Sequence, residues 1–318
     1  MTINPTPKGG TELQLEYLTQ YVDLQLLSKV QITTSVPEKI PLHSSKMNIL
    51  WQKNSYDQPN LAPWFKDKSN HNKYDWYVFN SHWCAEKFRM AFELPPEKCV
   101  VIKNAIEKFA DKPIHKNGDK IKLIYTSTPW RGLSVLLGAM QLIKDPLIEL
   151  DVYSSTQIYG DAFKNANDDS YQALYEQAKK LPNVNYIGYA SNEKIMKKMG
   201  EYKIFAYPNI WEETSCMSAI EALGSGLHGI VTNYGALFET CSEWPTYVQY
   251  DRDYKNLARC FAYAIEGIAS QLHSVGMQKL LNSQVSFYKK FYSWENRKNE
   301  WTNFLQGAYD SKSRTNLV

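Results

Sequence analysis

The chain has 318 residues, which allows about two domains. With 43% hydrophobic and 22% charged residues it reads as an ordinary globular protein, neither low-complexity nor disordered. A formal net charge of +3 is too small to argue for nucleic acid as a partner.

The apolar runs are far shorter than a membrane span, and residues 1–20 lack the apolar core of a signal peptide. The five cysteines, Cys84, Cys99, Cys216, Cys241 and Cys260, are dispersed with no C-x-x-C pair. That spacing speaks for reduced thiols in a cytoplasmic setting and against a disulfide frame or a zinc site.

Residues 1–10 hold at most a stub of strand. Gly9-Gly10 then precedes a helical spacing over Glu12–Val22, at Leu13, Tyr17, Leu18 and Val22. A Gly-Gly turn before a helix lets backbone approach a ligand, with Lys8 as a nearby cation; a plain turn is the simpler alternative. Strands are predicted over Lys29–Thr34 and Met47–Trp51, the second leading into the polar loop that starts at Gln52-Lys53. Another strand, Asp75–Phe79, is followed by Asn80-Ser81 and a helix over Glu86–Phe92, stopped by Pro95-Pro96. Lys98–Lys103 closes this half as a strand ending at Asn104. Residues 107–119 are polar, with Pro113 and Gly118, and form the best linker candidate.

The second half opens on the strand Lys122–Thr126 and a Ser127–Thr128–Pro129 turn. A helix follows with Leu133, Leu136, Leu137, Met140 and Ile143 on one face. Arg131 at its start opposes the helix dipole, so a nearby anion is the economical explanation. Glu149–Ser154 is predicted as a strand, Ser155–Ala166 as a loop and Ser170–Lys180 as a helix. Val184–Gly188 is a strand running into Tyr189-Ala190, and Asn192–Met199 is a helix. Ile204–Tyr207, Gly229–Thr232 and a segment near residue 246 complete a strand–helix alternation that implies a parallel doubly wound sheet. Helices over Asp253–Ile268 and 272–291 follow, then a terminal helix and a polar tail.

The most informative run is KIFAYPNIWEETSCMSAIEALGSGLHGIVTNYGALFET, Lys203–Thr240. It reads as strand, polar turn, helix, small-residue break and strand. Thr214 and Ser215 are candidate helix caps, and Glu213 stands just before them. At the carboxyl edge of a parallel sheet, amides here would face an anion, with phosphate the natural guest. Glu221, two turns into the helix, is placed to accept from ribose hydroxyls. For the bare glutamate pair, a capped helix with one solvated Glu is the plain alternative.

The run YPNIWEETSCMSAIEALGSG and the following VTNYGALFE resemble the glutamate–seven residues–glutamate signature of family 4 retaining glycosyltransferases. The resemblance extends from Gly9 to about Leu305 and is more specific in the second half. It implies the α/β GT-B fold, with two Rossmann-like domains facing across a cleft. The resemblance makes 1–110 the acceptor-side domain and 115–290 the nucleotide-sugar-binding domain, with a helix at 292–306 crossing back to the first. It implies a metal-independent enzyme that moves a sugar from a UDP-, GDP- or ADP-sugar to a glycan, lipid-linked or other hydroxyl acceptor. No Asp-x-Asp motif marks a metal site, and no cofactor is expected.

By the same resemblance, Gly9 and Gly10 face the donor diphosphate or the acceptor. Ser127, Thr128 and Arg131 form the diphosphate turn, with Thr128 standing where the family has a second basic residue. Tyr189 marks the nucleotide base, and Thr214, Ser215, Cys216 and Glu221 complete the donor site. Glu213 orients the transferred sugar as a catalytic residue with Arg131. Lys53 is the third catalytic candidate: it stands where many members carry a histidine near the reacting sugar, where a lysine could stabilise a developing phosphate charge; a solvated loop lysine is its alternative. Those departures keep open a sugar-nucleotide-binding pseudoenzyme, and another GT-B reaction, sugar-nucleotide epimerisation or phosphorolysis, is the other alternative. Peripheral membrane contact through the first domain stays open too, although no basic amphipathic helix marks it.

Overall fold

The computed structural model describes residues 9–113 and 118–315, with side chains to residue 310. The stub of strand before Gly9, Lys8, linker residues 114–117 and the end of the polar tail lie outside the described residues. The chain divides into two compact units. One, the C-terminal unit, comprises Lys108–Trp211 and Cys216–Lys290, with Gly9. The other, the N-terminal unit, comprises Gly10–Glu107, the four residues Glu212–Ser215, and the chain from Phe291 onward.

The N-terminal unit is built on a four-stranded sheet in the order β1-β2-β3-β4: Val30–Thr34, Met47–Gln52, Trp76–Phe79 and Cys99–Val101. All neighbours are parallel. β2 is buried at all six positions, as a central strand covered on both faces must be. Its side chains still alternate. Met47, Ile49 and Trp51 join a core with Trp294, Trp301 and Leu305 of the helix Trp294–Thr315. Leu50 joins the opposite core, with Phe65, Phe79 and Phe88. The period of two thus survives inside a strand that composition alone reads as a plain apolar run.

The C-terminal unit carries six parallel strands in the order β10-β9-β8-β5-β6-β7. They are β5 Ile121–Thr126, β6 Ile148–Tyr153, β7 Val184–Tyr186, β8 Ile204–Tyr207, β9 His228–Thr232 and β10 Thr246–Val248. Both units therefore carry parallel sheets, and the six-stranded one, whose order reverses at β5, is doubly wound as the strand–helix alternation of the second half implies. Because β5 and β8 are neighbours in the middle, the turns after them meet at one carboxyl edge. Gly132 makes this possible: its φ is +110°, and a Cβ there would lie 2.0 Å from the carbonyl oxygen of Pro208.

Two local expectations are corrected. Ser155–Ala166 is not a loop: Thr156–Tyr159 forms a 3-10 turn and Asp161–Asn167 an α-helix. Gly160, at φ +97°, separates them, and Phe163 packs near Trp130 and Tyr159, so tertiary contacts order a segment that looks polar in sequence. Thr214 and Ser215 are not helix caps either. The helix runs Met217–Gly224 from Cys216, with no side-chain cap, because the Thr214 hydroxyl is used elsewhere. Among the described residues, no helix is long and apolar enough to cross a membrane.

Candidate functional site

The carboxyl edge of the C-terminal unit's sheet collects most of the donor-site candidates. After β5, Ser127, Thr128 and the 3-10 turn Pro129–Arg131 lead into the helix Leu133–Leu142. The Tyr125 hydroxyl donates to the Thr128 carbonyl over 2.8 Å, which fixes the turn from beneath. Ser127 Oγ lies 3.3 Å from the Tyr207 hydroxyl at the end of β8. Ser218 Oγ donates to the Thr126 carbonyl over 2.8 Å, tying the first turn of the helix Met217–Gly224 to the same edge. Arg131 is half-buried in this turn rather than extended into solvent.

Three hydroxyls at this edge are buried with no hydrogen-bond partner among the described residues: Thr126 at the end of β5, Thr128 after it, and Ser154 after β6. A buried hydroxyl without a partner costs roughly 1–3 kcal/mol, so three at one strand edge mark a place where something polar binds. Tyr189 lies just past β7, half-buried. Its phenol is pushed above the ordinary tyrosine range by burial, and then by the Asp161 carboxylate.

Glu221 is 6% exposed, so the plain picture of a solvated helix glutamate fails. Asn192, at the start of the helix Asn192–Lys198, donates from Nδ2 to Glu221 Oε1 over 2.7 Å. Burial raises the Glu221 carboxyl to about 7, and the Asn192 hydrogen bond offsets part of that rise. Among the described residues this carboxyl has the Asn192 amide as its one hydrogen-bond donor.

In the N-terminal unit, Thr214 fastens the segment Glu212–Ser215. Its Oγ1 donates to the Lys53 carbonyl over 2.9 Å and accepts from Asn80 Nδ2 over 3.1 Å. Glu213 is buried beside it. Lys53 is not a solvated loop lysine. Its ammonium donates to Asn104 Oδ1 over 2.6 Å and lies 3.6 Å from the centre of the Trp51 ring. Its pKa is held well below the ordinary lysine range, first by burial; Cys84 opposes that shift and Arg297 adds to it. Gly10 opens the helix Gly10–Tyr21, and one turn on Gln14 brackets Ala105, donating to its carbonyl and accepting from its amide. The helix start is thereby held beside Asn104, the lysine's partner.

The structure thus gathers Ser127, Thr128, Arg131, Tyr189, Cys216 and Glu221 along one sheet edge of the C-terminal unit. Gly10, Lys53, Glu213, Thr214 and Ser215 belong to the N-terminal unit. Sequence reading missed Asn192, Ser154 and Asn80. Ser154 and Asn80 are small polar residues just past a strand and Asn192 opens a helix, and such residues are common in any turn or helix start.

The family model of the glycosyl transferases group 1 matches residues 105–271, just over half of the chain. No curated protein matches the sequence at a significant level. Among solved structures, a glycosyltransferase from Rickettsia africae superposes with a TM-score of 0.65 at 14% identity, covering 97% of this chain and 84% of that one. A sucrose-phosphate synthase from Thermosynechococcus elongatus gives 0.68 at 14% identity, with 89% and 74% covered. The Anabaena HepE protein, solved in complex with UDP-glucose, gives 0.61 at 14% identity, with 82% and 72% covered. At such identities the structural likenesses carry the fold, GT-B, and the family match carries the rest. The chain belongs to the glycosyl transferases group 1 family and is a sugar-transferring enzyme of the GT-B fold.

Proposed function

We propose that the chain is a retaining, metal-independent glycosyltransferase that takes a UDP-, GDP- or ADP-sugar and passes the sugar to a hydroxyl of a glycan or lipid-linked acceptor. The observation that carries the donor half is Glu221. A buried carboxylate with a single neutral donor is under-satisfied, and two vicinal ribose hydroxyls supply the missing donors. Thr126, Thr128 and Ser154 offer partnerless hydroxyls on the same edge, where Arg131 supplies the positive charge a diphosphate needs. Tyr189 marks the base. HepE was solved with UDP-glucose, which makes UDP-sugars the first donors to try.

In the reaction, the bond between the sugar's anomeric carbon and the diphosphate oxygen breaks. A bond from the acceptor oxygen forms on the same face, and the acceptor's proton passes to the departing phosphate. Products are the glycoside and the nucleoside diphosphate. No enzyme nucleophile is needed. Glu213 orients the transferred sugar. Lys53, with its ammonium committed to Asn104 and Trp51, acts as a positioning residue.

The test is a panel of UDP-, GDP- and ADP-sugars, followed first by binding and then by turnover. Transfer or slow hydrolysis with retained configuration supports the proposal. Glu213→Ala should then lower kcat about 10²-fold with little change in donor affinity. Binding without turnover would leave a pseudoenzyme, and a new sugar stereoisomer an epimerase.

A further inference from the structure

The sequence reads residues 107–119 as a linker and Gly224-Ser225-Gly226 as a small-residue break, and the donor site uses neither. The structure joins the two. Residues 108–113 run without helix or strand, yet Phe109, Ala110 and Lys112 are half-buried and Pro113 is buried. They belong to the C-terminal unit. Each residue of the break receives one of them. A Cβ on Gly224 would lie 2.2 Å from Phe109 Cε1, so the ring fills the space a side chain would need. The Ala110 amide donates to Ser225 Oγ over 3.1 Å. A Cβ on Gly226 would lie 2.5 Å from Lys112 Cγ. The Lys112 ammonium goes on to the helix Val275–Phe291, donating to Gln278 Oε1 over 3.0 Å and to Asn282 Oδ1 over 2.7 Å.

These contacts grip the last turn of the helix that carries Glu221. The Ser225 amide donates to the Glu221 carbonyl over 3.0 Å, and the Gly226 and Leu227 amides close the helix on the Leu223 and Ala222 carbonyls. Gly226, at φ +87°, makes that glycine-ended stop. Gln284 Nε2 seals it from the other side, donating to the Leu223 and Leu227 carbonyls over 2.7 and 2.8 Å. At eight residues the helix is too short to hold itself, so contacts at its two ends set its place. Ser218 fixes the first turn on the Thr126 carbonyl, and residues 109–112 fix the last. Glu221 lies one turn, about 5 Å, from the gripped end.

A segment that merely passed by would tolerate a side chain in the break. Here a methyl on Gly224 forces ring and helix apart by about 1 Å or more before ordinary carbon–carbon contact returns. A shift of about 1 Å is enough to spoil the aim of a carboxylate at a pair of hydroxyls.

We propose that residues 109–112 are a strap that sets the place of the helix Met217–Gly224, with Phe109 as a positioning residue for Glu221 and, through it, for the donor. The effect on the donor rests on the reading above; the hold on the helix does not.

The test compares the full chain with Gly224→Ala, Phe109→Ala and the two combined. Hydrogen exchange read by mass spectrometry follows the amides of residues 217–227, and calorimetry follows UDP-, GDP- and ADP-glucose. Gly224→Ala should speed exchange there and weaken the bound nucleotide sugar about tenfold or more. Phe109→Ala gives the new methyl room, so the pair should recover protection and affinity to within about threefold of Phe109→Ala alone. Ser225→Ala drops the Ala110 bond and serves if Gly224→Ala melts early; it should weaken the donor about threefold. Unchanged affinity in the folded variants, or a pair worse than both single variants, would overturn the proposal. If the wild type takes none of the three sugars, the donor reading falls and exchange decides alone. Faster exchange in Gly224→Ala, reversed in the pair, would then support the strap, and unchanged exchange would overturn it.

Discussion

Glu221 in the C-terminal unit and Lys53 in the N-terminal unit face the same problem with opposite charge. Each puts an ionisable group out of water, and each is met by one asparagine, Asn192 at 2.7 Å and Asn104 at 2.6 Å. Burial is the largest influence on both and drives both toward the neutral form. They differ in what else is supplied. Lys53 rests on the Trp51 ring, so its cation is partly accommodated inside its own unit. Glu221 has the Asn192 amide as its single donor among the described residues, so its ionised form is left for a ligand to complete. A buried charge that the fold has solved reads as structure. One that the fold has left unsolved reads as a binding site.

The largest expected effect sharpens that contrast through pH. Glu221 titrates near 7 when folded against an ordinary 4.5, so the unfolded chain gives up its proton first. The stability from the neutral buried carboxyl is complete below pH 4.5 and is lost as pH rises through 7. Glu221→Gln removes this titration. The gap between wild type and variant, measured by urea unfolding, should shift by about 3 kcal/mol in the variant's favour across that window. A constant gap from acid to alkaline pH would show that Glu221 is not enclosed as described. Donor binding should erase part of the wild-type slope, because ribose hydroxyls favour the ionised form.

Next comes affinity. Glu221→Ala removes a charged acceptor from the donor edge and should weaken UDP-sugar binding by about 1–3 kcal/mol in calorimetry. Equal affinity in the variant would move the nucleotide away from this helix.

Much of this was legible before any coordinates. The strands showed as short apolar runs closed by turn residues, and their alternation with helices forces a parallel sheet. Glu213 and Glu221 stood out because a long motif surrounds them. What sequence hid is the pairing. Asn192 lies 29 residues from Glu221, and Asn80 lies 134 residues from Thr214. No local pattern joins them; the sheet order does. Thr214 shows the converse failure. Threonine before a helix suggests a cap, but here a longer-range carbonyl takes the same hydroxyl. The helix Asp161–Asn167 escaped because its polar sequence gives no periodic signal, and rings elsewhere in the chain order it.

The smallest effect tests the other half of the comparison. Lys53→Met keeps a flexible stem over Trp51 and deletes the ammonium. It strands Asn104 Oδ1, which costs stability, but it also removes a buried cation, which restores some. The two offset, so the net change at neutral pH should stay within about 1 kcal/mol. The sign of the pH dependence is the sharper readout. The lysine's folded pKa is depressed, so between it and the unfolded value near 10.5 the unfolded chain binds more protons. Wild-type stability therefore gains on the variant as pH rises toward 10.5, the reverse of Glu221. Urea unfolding of both proteins across the alkaline range measures it. A gap that stays flat, or that moves toward the variant, would mean the ammonium reaches water and that Lys53 is no counterpart to Glu221.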